Sequence, residues 1–458
     1  MIKKIILFSL IFICFLGYMQ EKKEFVCVPC NLSCDLETFS KGGSCATCGM
    51  KLLQKGSYNK KLSKEEIVED LNILTSTLKN NHPGIYDYQS EKDYEKTNSN
   101  LIESIESDSN VLEAYKIFSQ NISVVGDAHT YVMHPYYDNI LQEELLFPVI
   151  PEINNNEIWI NGKRIKSMNG NSEDEILKQL QKYSNSDANK LSYKNAFIEM
   201  EFPLRFFTFM DKSSVFNIIF IDGETKNIRG KSFFNKGLRP KKSSPSLLFN
   251  NDTAVIKIPS WEDESASSFN NDLAKMSKNS KLGKFLSDAM KNVIHRNVNN
   301  LVIDLTGNKG GKSGPAAILL SYLINKPFKY YSEIKIASDK FPTKQYISNK
   351  ELVNFYESDD SKKLINKVNE EYFFKENLLP EIQPNAEYYS GNIELLVDKY
   401  TLSVSTDVVS ILQNNREIKI TGKEIGGSLY HYCAGNYINL ILPNSKMEVN
   451  IPLQRLKY

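Results

Sequence analysis

The sequence predicts an α/β fold, and two strand–turn–helix units carry that expectation. In the first, an unbroken apolar run, residues 301–303, ends in Asp304 and a turn holding Gly307, Gly310 and Gly311. Pro315 then opens a second apolar run, 316–324. Continuous hydrophobicity marks a strand covered on both faces, and proline suits the first helical turn. Glycines at such a junction let backbone N–H groups point outward, and a row of donors at a helix start favours developing negative charge. In the second unit, the apolar run 393–397 leads through a polar turn into an amphipathic helix with Val404, Val408, Ile411 and Leu412 inward. Ser403 falls where that helix begins. Serine there is a good N-cap; at a strand-to-helix junction it is also a candidate nucleophile.

The 458 residues suffice for two or three domains and a sizeable core. Lys plus Arg number 56 against 55 Asp plus Glu, so nothing is basic enough to track a phosphate backbone and nucleic acid is excluded as an expected partner. Residues 1–19 read as an export signal: Lys3 and Lys4 precede a short apolar run, 5–16, and polar sequence follows from Gln20. That run is shorter than the ~20 apolar residues of a membrane span. An uncleaved segment holding the chain at a membrane is the other reading; either places the protein outside the cytoplasm, in the periplasm, cell envelope or medium.

Residues 20–57 form a Cys-rich module. Cys27-x-x-Cys30 and Cys45-x-x-Cys48, with Cys34 between them, repeat a tetrathiolate zinc pattern. The expected ligands are Cys27, Cys30, Cys45 and Cys48, for zinc or another thiophilic metal, with Cys34 spare. The ending Cys48-Gly49-Met50-Lys51-Leu52 resembles small heavy-metal-binding modules of exported bacterial proteins. Disulfides compete with this reading, since an exported chain meets oxidising conditions.

A helical region is expected over 58–140. Ser63-x-x-Glu66 is a capping box, Ile67, Leu71, Leu74 and Leu78 line one helix face, and Leu112, Tyr115, Phe118 and Ile122 line a second. Asn81-His82-Pro83-Gly84 is a loop signal. The region delivers Gly126-Asp127-Ala128-His129; His82, His134, His295 and His431 read as solvated loop histidines. Residues 141–238 alternate apolar and polar around a helical stretch, 173–180, and read as a β-rich domain. A linker at 239–244 opens the last domain, 239–458, which starts with a strand at 253–258 and a long helical region at 269–294. Residues 341–384 read as a charged insertion, a lid over the cleft or a surface excursion.

Three motifs now carry a resemblance. Residues 304–311, Asp-Leu-Thr-Gly-Asn-Lys-Gly-Gly, resemble the Asp-Leu-Arg-x-Asn-x-Gly-Gly signature of the C-terminal processing and tricorn protease family. Residues 397–405 resemble its nucleophile segment, and Gly126-Asp127-Ala128-His129-Thr130 is similar to its Gly-Asp-x-His-Thr motif. Their order over about residues 62–453 is the family's. The resemblance implies a serine peptidase with a crotonase/ClpP-like α/β core and a PDZ-like insertion before it. Ser403 would be the nucleophile and His129 the general base, with the N–H of Val404 and of Gly310 or Gly311 as oxyanion donors. Substrates would be unfolded or C-terminal peptide segments, and no cofactor would serve catalysis. One branch of the family uses a lysine as base; Ser428, 25 residues past Ser403, stands in its place, so the histidine branch fits better. That branch also surrounds its histidine with a hydroxyl and a distant acid. Ala128 replaces the hydroxyl and no acid at the equivalent distance is found, leaving Asp127 or Glu424 to orient His129. The alternative from another class is a weak or inactive peptide- or metal-binding protein on the same fold.

Overall fold

The computed structural model describes residues 24–27, 32–233, 243–263, 279–369, 371–379 and 381–458. The export segment, Cys30, most of the linker and the start of the long helical region lie outside the described residues. Two compact units are present, Met1–Ser57 and Tyr58–Tyr458. Among the described residues no helix is long and apolar enough to cross a membrane.

In the first unit, three two-residue strands (Phe25–Val26, Thr38–Phe39 and Leu53–Gln54) form a small antiparallel sheet around buried Cys27, Cys34, Cys45 and Leu52. Among the described residues, so few apolar side chains cannot supply a stable core by themselves.

In the second unit, the capping box forms as expected. Ser63 Oγ accepts from the N–H of Glu66 at 3.2 Å, and the Glu66 carboxylate accepts from the N–H of Ser63 at 2.8 Å. The helix it starts, Lys64–Asn81, buries Ile67, Leu71, Leu74 and Leu78. Helix Val111–Ser123 follows, and between the two lies Glu91–Glu103, a helix too polar for periodicity to reveal. Next comes a β-rich part, with sheet order Thr225–Arg229, Val215–Phe220, Lys163–Met168, Glu157–Ile160, Glu152–Asn154. Helices Glu173–Lys182 and Leu191–Phe209 accompany it.

The sheet that carries the two strand–turn–helix units has the order Ser246–Asn250, Thr253–Lys257, Asn300–Asp304, Asn392–Val397, Lys419–Gly422. The first pair is antiparallel and the rest are parallel. Leu301, Ile303, Ile393 and Leu395 are buried, but Val302 is only half-buried. The run 301–303, expected to be covered on both faces, is therefore sealed on one face and half-covered on the other. Helices Lys281–His295, Ser313–Leu323 and Val404–Asn415 pack into one core with it. Parallel register brings Asp304 beside Leu396, so the turns after both strands leave at one sheet edge, where open α/β sheets place their ligands.

A second sheet has the order Ile365–Val368, Glu371–Phe374, Glu333–Ile336, Glu448–Lys457, His431–Ile441. The short strand Tyr131–Val132, just after the histidine motif, pairs with Asn450 and Val449 of that sheet. The insertion at 341–384 is neither lid nor surface excursion. Phe341, Ile347, Val353 and Tyr356 are buried in the core shared with the N-terminal helices, and Thr77 meets Thr343 at 2.7 Å.

Candidate active site

Two turns position Ser403. After the first strand, Asp304 accepts from the N–H of Thr306 at 2.9 Å and from its hydroxyl, closing the turn without the family's arginine. Asn308, fully buried, donates to the Ile258 carbonyl at 2.8 Å and accepts from the N–H of Gly310 at 2.9 Å. After the second strand, Asp398 accepts from the N–H of Gly307 at 2.9 Å, and the N–H of Leu402 donates to the Asn308 carbonyl at 3.3 Å. Each turn thus carries the other's hydrogen bonds.

Ser403 sits at φ 56° and ψ −127°, before helix Val404–Asn415, and its side chain makes no capping bond. The N-cap reading of this serine is therefore set aside: the hydroxyl is not spent on the helix. A non-glycine residue held at such angles stores strain that persists only where the surroundings impose it. Gly310 is the reason there is room. Its φ is +101°, and a Cβ there would lie 2.6 Å from Ser403 Cβ and 3.1 Å from Ser403 Oγ. At Gly311, φ +141°, a Cβ would meet the Trp261 backbone at 2.4 Å. The N–H of Gly310 is committed to Asn308, whereas those of Gly311 and Val404 have no hydrogen-bond partner among the described residues. Trp261, unremarked in the sequence, ties the parts together. Its indole N–H donates to Ser405 Oγ at 2.9 Å, and its backbone bonds to Gly310 and Lys312.

His129 is delivered by a different route. Asn185 donates to the carbonyls of Asp127, Ala128 and Thr130, and Asn450 donates to that of His129. The imidazole lies against the Tyr432 ring, centroids 5.2 Å apart. Its Nδ1 is buried without a hydrogen-bond partner, 3.6 Å from Asp127 Oδ1 and 3.9 Å from Asp187 Oδ1. Asp127 thus lies beside the imidazole, whereas Glu424 is exposed on the surface. Asp187 was legible in no motif; it comes from the loop that clamps 126–130 and accepts from the N–H of Ala128 at 2.9 Å.

His82 is not a solvated loop residue. It is fully buried; its Nδ1 accepts from the N–H of Gly84, so its Nε2 carries the proton and donates to Asp127 Oδ2 at 3.0 Å. Burial would raise Asp127, but His129, His82 and the Thr130 hydroxyl hold its carboxyl well below the usual range. Burial pushes Asp187 up. Burial alone would lower His129; the carboxylates of Asp127 and Asp187, with Asp407 behind them, outweigh it and hold the imidazole above its ordinary value. His134 is half-buried rather than solvated, and desolvation with Arg205 nearby lowers it to about 3. His431, expected to be solvated, pairs with Asp87 at 3.0 Å, while His295 is the exposed one, as expected.

The serine and histidine parts meet at residues 425–428. Gly427 N–H donates to the Thr401 carbonyl at 3.0 Å, and Lys190 reaches the carbonyls of Ile425 and Gly427. Ala128 packs with Leu402 in one apolar cluster. Lys423 is exposed and bonded to Asn154, away from this junction.

Residues 252–431 match the family model described as peptidase family S41. That stretch, less than half of the chain, carries its similarity to serine-type peptidases. No curated protein sequence matches the chain. The crystal structure of mature CPAF is 14% identical and superposes with a TM-score of 0.55 over 86% of this chain and 89% of that one. Mature CPAF complexed with lactacystin gives 13% identity and a TM-score of 0.56 over 85% and 90%. At such identity the likeness is one of fold, and it covers far more of the chain than residues 252–431.

In the first unit, the thiols of Cys27, Cys34, Cys45 and Cys48 all lie within 4.8 Å of one another. Cys27 and Cys48 approach to 3.1 Å. Cys34, the cysteine expected to be spare, belongs to this cluster; Cys30 lies outside the described residues. The Cys45–Cys48 knuckle closes with the N–H of Gly49, φ +75°, on the Cys45 carbonyl at 2.8 Å.

Proposed function

We propose that the chain is an exported endopeptidase in which Ser403 attacks the scissile carbonyl, His129 takes its proton, and Asp127 with Asp187 orients the imidazole. The observation that carries this reading is Ser403 itself: a strained serine with no capping bond, set against a glycine whose missing side chain leaves space beside Oγ. The N–H groups of Val404 and Gly311 are the oxyanion donors, because that of Gly310 is already taken. As Oγ bonds the carbonyl carbon, the π pair moves onto the oxygen facing those donors, and the hydroxyl proton passes to His129. Collapse of the intermediate returns the proton to the leaving amine, and water repeats the cycle on the acyl-enzyme. Ser403→Ala is expected to lose peptide hydrolysis by several orders of magnitude; hydrolysis of an unstructured substrate at the wild-type rate would show Ser403 to be structural only.

The core is read as crotonase-like, on the parallel strands with helices packed beside them, and the sheet of residues 152–229 as PDZ-like, on its antiparallel strands and accompanying helices. Such a module takes a peptide terminus as an added strand, which favours unfolded or C-terminal segments as substrates. Export rests on the lysines and short apolar run of residues 1–19.

The cysteine cluster fits a thiophilic ion. Four thiols within 4.8 Å of one another support a tetrathiolate site, and zinc bound there would close a small unit. The N–H groups of Cys48 and Thr47 lower the Cys45 thiol to about 7, towards the thiolate a metal needs. About one zinc per chain is expected by elemental analysis; thiols found paired as disulfides in the native protein would exclude it.

A further inference from the structure

Beneath the nucleophile turn lies a buried acid that the steps above leave unused. Asp407 is in the first turn of the helix that Ser403 opens, and it is fully buried. Its carboxylate is met by phenols. Tyr330 and Tyr331 each donate to Oδ2 at 3.0 Å, and Tyr458 donates to Oδ1 at 2.7 Å. Tyr432 completes the cage, its hydroxyl 3.4 Å from that of Tyr331 and its ring 5.2 Å from the ring of His129. The donors come from residues 330–331 and 458 and the cage is closed from 432, so three separated segments converge around one side chain.

Hydroxyls stabilise a carboxylate without cancelling its charge, and a buried charge is costly to keep. Packing alone would be served by an apolar side chain of similar volume. What the charge reaches is the start of the nucleophile helix and, across the Tyr432 ring, His129.

We propose that Asp407 is a positioning residue of the peptidase reaction: its tyrosine cage fixes the nucleophile helix against the wall on which His129 lies, and its negative charge supports the imidazolium that forms when Ser403 gives up its proton. This rests on the reading of Ser403 and His129 as nucleophile and base. The groups facing Asp407 are Tyr330, Tyr331, Tyr432 and Tyr458; those facing His129 are Asp127, Asp187 and Tyr432. Burial pushes Asp407 up to about 6 against its tyrosine donors, so it is charged where a serine peptidase with a histidine base works.

The test is the pH profile of kcat/KM on an unstructured peptide for wild type, Asp407→Asn and Tyr458→Phe. Asn keeps the shape and can still accept from the phenols. Since the Asp407 charge holds His129 up, its loss lets the neutral base persist to lower pH. The ascending limb should move to lower pH by on the order of one unit, with kcat falling about tenfold or more. Tyr458→Phe, which keeps the acid but removes a donor, should shift the limb in the same direction by less, and it carries the test should Asp407→Asn fold poorly. A limb that stays in place while kcat falls reduces Asp407 to a packing role, and unchanged profiles in both variants overturn the proposal. Fluorophosphonate labelling of Ser403 in wild type, run alongside, separates these outcomes from a failure of the Ser403 reading.

Discussion

At the scale of single residues, the serine's backbone makes a prediction that its chemistry does not. Ser403 occupies φ 56° and ψ −127°, a conformation costing a non-glycine residue roughly 1–3 kcal/mol. Ser403→Gly should therefore be at least as stable as Ser403→Ala by thermal denaturation, although glycine ordinarily costs about 0.5–1 kcal/mol relative to alanine in a regular element. Both should be inactive. Gly310→Ala should cost about 100-fold or more in kcat, since the new methyl would stand 2.6 Å from Ser403 Cβ; wild-type kcat in that variant would show that the two residues can separate freely. For His129, activity requires the neutral form, and neighbouring carboxylates hold its proton on more tightly. The ascending limb should therefore lie above the imidazole's usual pKa of about 6.5, and His129→Ala should remove it. Ser403, His129 and the glycine turn were legible because each lies in a contiguous motif. His82 and Asp187 were not, because their burial is created by loops remote from the motif, and no local pattern separates a buried loop histidine from a wet one.

At the scale of elements, Glu199 gathers the polar bonds between the β-rich part and the turn before Ser403. Glu199 accepts from Lys399, from the Tyr400 hydroxyl and from the N–H of Ile153, while Lys399 also donates to the Ile153 carbonyl at 2.6 Å. Glu199→Ala would leave the Lys399 ammonium, 11% exposed, without its counter-charge. The expected cost is about 3 kcal/mol, read as a lower urea midpoint, with a fall in kcat because Lys399 is in the turn before Ser403. A variant as stable as wild type would show that the two parts are held by packing alone. Helices 64–81 and 111–123 were legible from their apolar stripes and capping box. The helix at 91–103 and the burial of Phe341, Ile347, Val353 and Tyr356 were not: the first is nearly all polar, and the second joins a core with helices more than 200 residues away.

At the scale of the whole chain, the two strand–turn–helix units at 301–324 and 393–412 were legible in their apolar runs, and the match to the peptidase family model spans both. The ligand set of the small N-terminal unit was less so, because Cys-x-x-Cys spacing points to Cys30 while the fold brings Cys34 into the cluster. Cys34→Ser should accordingly lose metal. Retention of a full complement of about one zinc in that variant, with loss in Cys30→Ser, would restore the paired-knuckle reading.

The account as a whole turns on a nucleophilic Ser403 activated by His129. The most direct measurement is fluorophosphonate labelling of the full chain near neutral pH, with the modified residue located by peptide mass spectrometry. The account predicts one label, on Ser403, lost in Ser403→Ala and strongly slowed in His129→Ala. A label on a different serine, or labelling of Ser403 at an undiminished rate in His129→Ala, would contradict it.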